Sequence, residues 1–172
     1  MKIAQVGEDI LKTPALPVEK YVFAQIEFQD FLDELLRCML DANGIGIAAP
    51  QVFDPRAIMI IASKSNPRYP DAPDMKPEIL INPSITDHSA DTCWHWEGCL
   101  SVPGLRGNIE RNNWVEVDYL NRKGQSKHVR YEGFLARIFL HEFDHLIGKT
   151  WLDRVADPSH IMANDVWMEK FV

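Results

Sequence analysis

Cysteine is scarce and odd in number. Cys38, Cys93 and Cys99 are the three in 172 residues, which excludes a disulfide-built fold and fits a reducing compartment. Positive charge is also short: 18 Lys and Arg stand against 25 Asp and Glu, giving a formal charge of -7 at pH 7 and a pI near 5.3. That balance lacks the basic footprint of a nucleic-acid or anionic-membrane binder, so neither partner is expected. No apolar run reaches membrane-spanning length, and no charged-then-apolar leader opens at Met1-Lys2-Ile3, so the cytoplasm is the expected location. The full Gly-x-x-x-x-Gly-Lys-Ser/Thr pattern and a strand-fed Gly-x-Gly-x-x-Gly are both missing, since Gly148-Lys149-Thr150 has Phe143 where the first glycine would stand, and with them goes support for a nucleotide cofactor. There is no internal repeat or low-complexity tract. What remains is 46% hydrophobic residues in a chain long enough for one well-buried core and short for two, which predicts a single domain over 1–172.

The stretch richest in chemistry is His141-Glu142-Phe143-Asp144-His145. Residues four apart share a helix face, so both imidazoles can reach one ion while Glu142 stands near enough to take a proton from a water on it. Such a pentapeptide also arises by chance on amphipathic helices with surface histidines. Here Phe134, Leu135, Ile138 and Phe139 lead into it at helical spacing, and Gly148 ends the pattern. A helix apolar on nearly every side is a buried one, and buried histidines need partners. Metal-assisted hydrolysis is the expectation.

A catalytic ion of this kind takes three protein ligands and keeps one open position. Cys99 is the candidate for the third. It lies in Glu97-Gly98-Cys99-Leu100-Ser101-Val102-Pro103, where glycine and proline mark a bent segment at the end of a strand. His95 and Glu97 remain alternatives by spacing. The other cysteines read as packing: Cys38 in a periodic helix over 28–40, Cys93 in an alternating segment. Upstream, Gly44-Ile45-Gly46-Ile47-Ala48-Ala49-Pro50-Gln51 follows a helix ending at Asn43. The simplest reading is a tight turn with positive φ at Gly44 or Gly46; a backbone open to close approach is the alternative, with Gln51 as an uncharged donor.

These three segments, in this order, closely resemble the signature motifs of the peptide deformylases, and 9–18 resembles that family's opening segment. The resemblance implies removal of the N-formyl group from formyl-methionine on nascent chains, with formyl-Met-peptide as substrate. It implies one divalent ion on Cys99, His141 and His145: Fe(II) natively, with Zn(II), Ni(II) or Co(II) as replacements. Glu142 becomes general base and then acid, and the Gln51 side chain and Leu100 N–H become donors to the oxyanion. Gly44, Ile45 and Gly46 would pair with the extended substrate. Ile45, Leu100 and Ile138 would wall a methionine pocket, and Arg106 matches an arginine near the bound peptide, its alternative being a solvated surface charge. Glu97, Arg111 and Asp144 are the expected partners behind the ligating imidazoles.

Two positions depart from the family pattern: Pro50, where threonine is common, and Leu140, where glutamine is common. The tail after Gly148 is not basic, so ribosome docking through a basic C-terminal helix is not carried over. Two rivals remain. A zinc endopeptidase would draw a later third ligand, His160 or Glu169, and a silent paralogue would bind without turnover.

The scaffold reads as α+β, with antiparallel or mixed sheets around a central buried helix carrying the His-Glu-x-x-His motif. Strands are predicted at 56–62, 78–86, 92–102, 115–119 and 127–131, and a proline-rich loop at 63–77. The C-terminal residues 165–172 predict a short helix.

Overall fold

The computed structural model describes residues 1–65, 69, 70 and 72–172. Helix α1 (Ile26–Asp41) follows from apolar residues at helical spacing: Phe28, Leu32, Leu35 and Met39 are all buried along one face. It stops where Asn43 takes a left-handed φ of 53°, and the Gly44 N–H returns to the Met39 carbonyl at 2.9 Å. Helix α2 (Gly133–Leu146) contains the motif, and Gly148 beyond it sits at φ 71°.

Two antiparallel sheets frame α2. The first, of five strands, runs in the order β1 (Gly46–Ala48), β2 (Ile58–Ser63), β3 (Met75–His88), β6 (Trp114–Leu120), β7 (Ser126–Glu132). The second joins β4 (Thr92–Cys99), β5 (Val102–Asn112) and β8 (Ile161–Ala163). Alternation along β2 separates two cores. Ile58 and Ile60 pack with Phe28, Leu32 and Leu35 of α1, whereas Met59 and Ile61 pack with Ala136, Phe139 and Leu140 of α2. A strand apolar on both faces is thereby buried on both. Helix α3 (Asn164–Phe171) closes the chain and packs against the second sheet through Trp167.

The α+β class holds, and several boundaries move. The single strand expected over 92–102 is two: the chain reverses at Leu100-Ser101, with Cys99 paired to Val102 across the turn. Pro103, Gly104 and the charged Arg106, Glu110 and Arg111 hid β5 by breaking the alternation. Strand β3 is longer than expected because bulges near Asn82 and Thr86 let it continue past Pro83 and bend. The ends of the 63–77 segment belong to strands, and its residues 66–68 and 71 lie outside the described ones. The small-residue turn is corrected too. Neither Gly44 nor Gly46 has positive φ, and Gly46 opens the edge strand β1. No helix among the described residues is long and apolar enough to cross a membrane.

Candidate active site

Helix α2 turns His141, Glu142 and His145 into the protein, leaving them 9%, 5% and 0% exposed. The β4–β5 reversal brings Cys99 against the helix, with its Sγ 3.3 Å from His145 Nε2. Cys99, His141 and His145 each offer a ligand atom, all within 4.8 Å of one another. His145 Nδ1 and Glu142 Oε2 are buried without a hydrogen-bond partner among the described residues. His141 Nδ1 lies 2.8 Å from Glu97 Oε2, which leaves Nε2 as the nitrogen free to ligate. Two imidazoles and a thiol with an under-satisfied interior suit a divalent ion with one position left open.

The electrostatics point the same way. Burial pushes the Cys99 thiol up, but the imidazoles of His145 and His141 more than offset it and hold it well below its ordinary value. Burial pushes His141 down, and its bonds to Cys99 and Glu97 carry it well above. Glu142 is pushed up to about 7 by burial, a rise the flanking His141 and His145 partly counter. A carboxyl titrating there suits a group that must take and return a proton.

Behind the ligands lies a buried ionic network. Glu97 accepts from Arg111 Nε and Nη2, both at 2.9 Å, and from Arg137 Nη1 at 2.8 Å. Arg111 also donates to Asp144 at 2.6 Å, as does Arg154. Burial opposes ionisation of Glu97, yet Arg111 and His141 hold its carboxyl far below the usual range. Arg137 was not foreseen from sequence, although an arginine one turn before His141 on an otherwise apolar helix needs a buried acceptor. It finds Glu97 and the carbonyls of Ile109 and Cys93.

Gln51, 1% exposed, is oriented by the Ala48 N–H, which donates to its Oε1 at 2.8 Å. Its Nε2 therefore faces Ser101 Oγ at 3.1 Å and Cys99 Sγ at 3.6 Å. Strand β1 runs past Glu142 so closely that a Cβ on Gly46 would lie 2.7 Å from Glu142 Cδ. Close approach, not left-handed geometry, makes that position glycine. Among the described residues, the outer edge of β1 has no strand partner. A cavity of about 170 Å³ opens between this edge and α2, with Ile45, Gly46, Leu100, Ile138 and Arg106 in its wall.

Arg106 is 2% exposed, so the surface-charge reading is wrong. His95 is exposed, and Glu97 is occupied by two arginines and His141, which removes both from contention as the third ligand. His160 meets Trp94 edge to face with ring centroids 4.8 Å apart and Glu169 is exposed, so neither zinc-endopeptidase ligand joins the donor cluster. Tyr69, Trp96, Phe134 and Asn164 also line the cavity. No local motif marked them, because each arrives from a separate element.

An α+β frame that gathers two buried imidazoles, a half-buried thiol and an adjacent buried carboxyl around one point defines a metal-dependent hydrolase of the His-Glu-x-x-His kind. The polypeptide deformylase family profile matches residues 1–160, and the chain belongs to that family. It is 43% identical to peptide deformylase 2 of a Nostoc species, over 98% of this chain and 93% of that one. Peptide deformylase 2 of Shewanella oneidensis is 46% identical, over 96% and 90%. Among solved structures, the Met-Ala-Ser-bound class I type b peptide deformylase of Acinetobacter baumannii superposes with a TM-score of 0.88 at 43% identity, covering 90% of this chain and 98% of that chain. The Thermotoga maritima peptide deformylase gives 0.79 at 31%, covering 91% and 97%. The family is one of metalloenzymes, and Cys99, His141 and His145 are the possible metal site here.

Proposed function

We propose that this chain, as a single catalytic domain over 1–172, hydrolyses the N-formyl group of formyl-methionine at the start of nascent polypeptides in the cytoplasm, releasing formate. The observation that carries this reading is the cluster of half-buried Cys99 with buried His141 and His145, beside Glu142 Oε2, which has no hydrogen-bond partner among the described residues, on a deformylase frame. The three donors would hold Fe(II) natively, with Zn(II), Ni(II) or Co(II) as substitutes for the same borderline set. When bound, such an ion lowers the pKa of water toward roughly 7 and polarises the formyl carbonyl.

The chain's own groups do the rest. Glu142 Oε2 takes the proton of the attacking water and returns it to the departing amine. Gln51 Nε2, held by Ala48, and the Leu100 N–H donate to the oxygen as it gains charge, and such donors are worth most in a water-poor site. Glu97 holds His141 in the tautomer that keeps Nε2 available. The free edge of β1 at Gly44, Ile45 and Gly46 pairs with an extended peptide through backbone groups, which suits a catalyst of many sequences. Ile45, Leu100 and Ile138 form the apolar wall for methionine, and Arg106 lies along the same peptide path. That the A. baumannii enzyme is seen with Met-Ala-Ser supports a peptide in this cavity. Helix α3 carries Asp165, Glu169 and a single Lys170, so it is not a basic helix and does not support ribosome docking.

Formate release from formyl-Met-Ala-Ser by anaerobically purified protein loaded with Fe(II) or Ni(II) tests the reading, beside Glu142→Ala and an unformylated control. Formate from the wild type alone is the expected result. None from folded, metal-replete protein would leave a silent paralogue or another acyl substrate. Gln51→Leu is expected to keep metal and fold and to lose about 10²- to 10³-fold in turnover. Full activity with normal metal content would remove Gln51 from the oxyanion role, and Glu142→Ala is expected to lose more than Gln51→Leu.

A further inference from the structure

The family match ends at residue 160, yet the last elements of the chain reach the peptide cavity. Strand β8 pairs with β5 where Arg106 lies, with Arg106 opposite Met162. Asn164, the first residue of α3, lines the cavity and accepts from Arg106 Nε at 3.0 Å. One turn on, the Trp167 ring lies 3.9 Å from the Arg106 guanidinium carbon. Tyr69 accepts from Arg106 Nη1 at 3.0 Å on the other side. Phe171 then links Trp167 to Trp96 of the cavity wall, with ring centroids 6.0 Å apart in each pair.

Arg106 is thus almost wholly buried, and no carboxylate among the described residues pairs with it. A buried guanidinium so placed is held by its neighbours and keeps donor capacity toward the cavity, since Asn164 and Tyr69 engage two of its five N–H groups. A planar cation gripped by an aromatic face and an amide acceptor is fixed in direction as well as position.

We infer that α3 is part of the peptide site: Trp167 and Asn164 are positioning residues that orient Arg106 toward an oxygen acceptor of the bound peptide. Because neither residue touches Glu142, Gln51 or the metal donors, the clamp governs peptide affinity and not the chemical step. This deepens the function proposed above and rests on it for the choice of ligand.

The experiment measures KM and kcat for formyl-Met-Ala-Ser, metal content, and the Kd of the product peptide Met-Ala-Ser by calorimetry. The metal-loaded wild type is compared with Trp167→Ala, Asn164→Ala and Trp167→Phe. Trp167→Ala is expected to raise KM and Kd about tenfold and Asn164→Ala several-fold, with kcat within about twofold and metal content unchanged. Trp167→Phe retains an aromatic face and restores most of the affinity. Unchanged KM and Kd in both alanine variants would overturn the clamp. So would loss of metal and kcat in Trp167→Ala alongside a wild-type Asn164→Ala, because α3 would then be a structural prop only. If Trp167→Ala does not fold, Asn164→Ala decides. A wild type that binds Met-Ala-Ser but releases no formate would sink the reaction, while the Kd series would still judge the clamp.

Discussion

The two flanks of α2 hold the same helix by different physics. Toward the five-stranded sheet it presents Ala136, Phe139 and Leu140, packed on Met59, Ile61, Leu80 and Val117. Toward the three-stranded sheet it presents Arg137, His141 and Asp144, engaged with Glu97 and Arg111. Apolar packing is non-directional and degrades gradually as volume is lost. A buried ionic network is directional, and removing one member strands the others in a place without water. The flank that must aim a nitrogen to a fraction of an ångström is the ionic one, and the flank that need only supply stability is the apolar one.

The sharpest way to break this contrast is Glu97→Ala, which leaves Arg111, Arg137 and His141 Nδ1 without their shared acceptor. Stability is expected to fall by about 3–5 kcal/mol, as for other buried pairs that lose one partner. Metal affinity is expected to fall about 10- to 100-fold as His141 loses its orientation. Denaturant melts and metal content after dialysis measure the two effects. Loss of stability with full metal retention would mean that Glu97 braces the fold without aiming the ligand.

Glu142 lies between the flanks and belongs to neither, since its Oε2 has no partner among the described residues. In chelated protein its folded-state pKa is about 7 against an ordinary 4.5. Below 4.5 the carboxyl is protonated in folded and unfolded chains alike and contributes nothing to the pH dependence. As pH rises from there, the unfolded chain ionises first, so a penalty on folding grows until about 7 and is full above it, on the order of 3 kcal/mol. The Glu142→Gln variant escapes that penalty. Metal-free Glu142→Gln is therefore expected to be more stable than metal-free wild type at pH 8 and nearly equal to it at pH 4. A stability difference that does not change between the two pH values would show that this carboxyl is not strained by burial.

The contrast also sorts what was legible in the sequence. His141 and His145 could be read because four-residue spacing is local, and β2 because its run of β-branched and apolar residues is local. Cys99 was legible from the glycine and proline that bracket its turn. Strand β5 was not, because Arg106 and Arg111 are charges turned inward, and only their distant acceptors explain them: Asn164 is 58 residues from Arg106, and Asp144 is 33 from Arg111. Arg137 escaped for the same reason. At Gly46 the sequence offered positive φ first and close approach second, and the second is the cause, invisible locally because the neighbour Glu142 lies far along the chain. Apolar periodicity announces itself one element at a time, whereas a buried ion declares its purpose only when its partner is seen.

The smallest predicted effect tests the apolar flank on its own. Phe139 is fully buried, with Tyr131 and Phe143 rings stacked against it at 5.6 Å each. Phe139→Leu keeps an apolar side chain of smaller volume, so the expected cost is about 1–1.5 kcal/mol, or about 2–4 °C per kcal/mol in Tm for a chain of this size. Metal content and KM are expected to stay at wild-type values, because the helix sinks slightly without releasing Glu97 from His141. Differential scanning calorimetry beside metal analysis checks both. If this variant lost metal as Glu97→Ala is expected to, the stacked rings would be aiming the histidines as well as burying the helix, and the division between the flanks would fail.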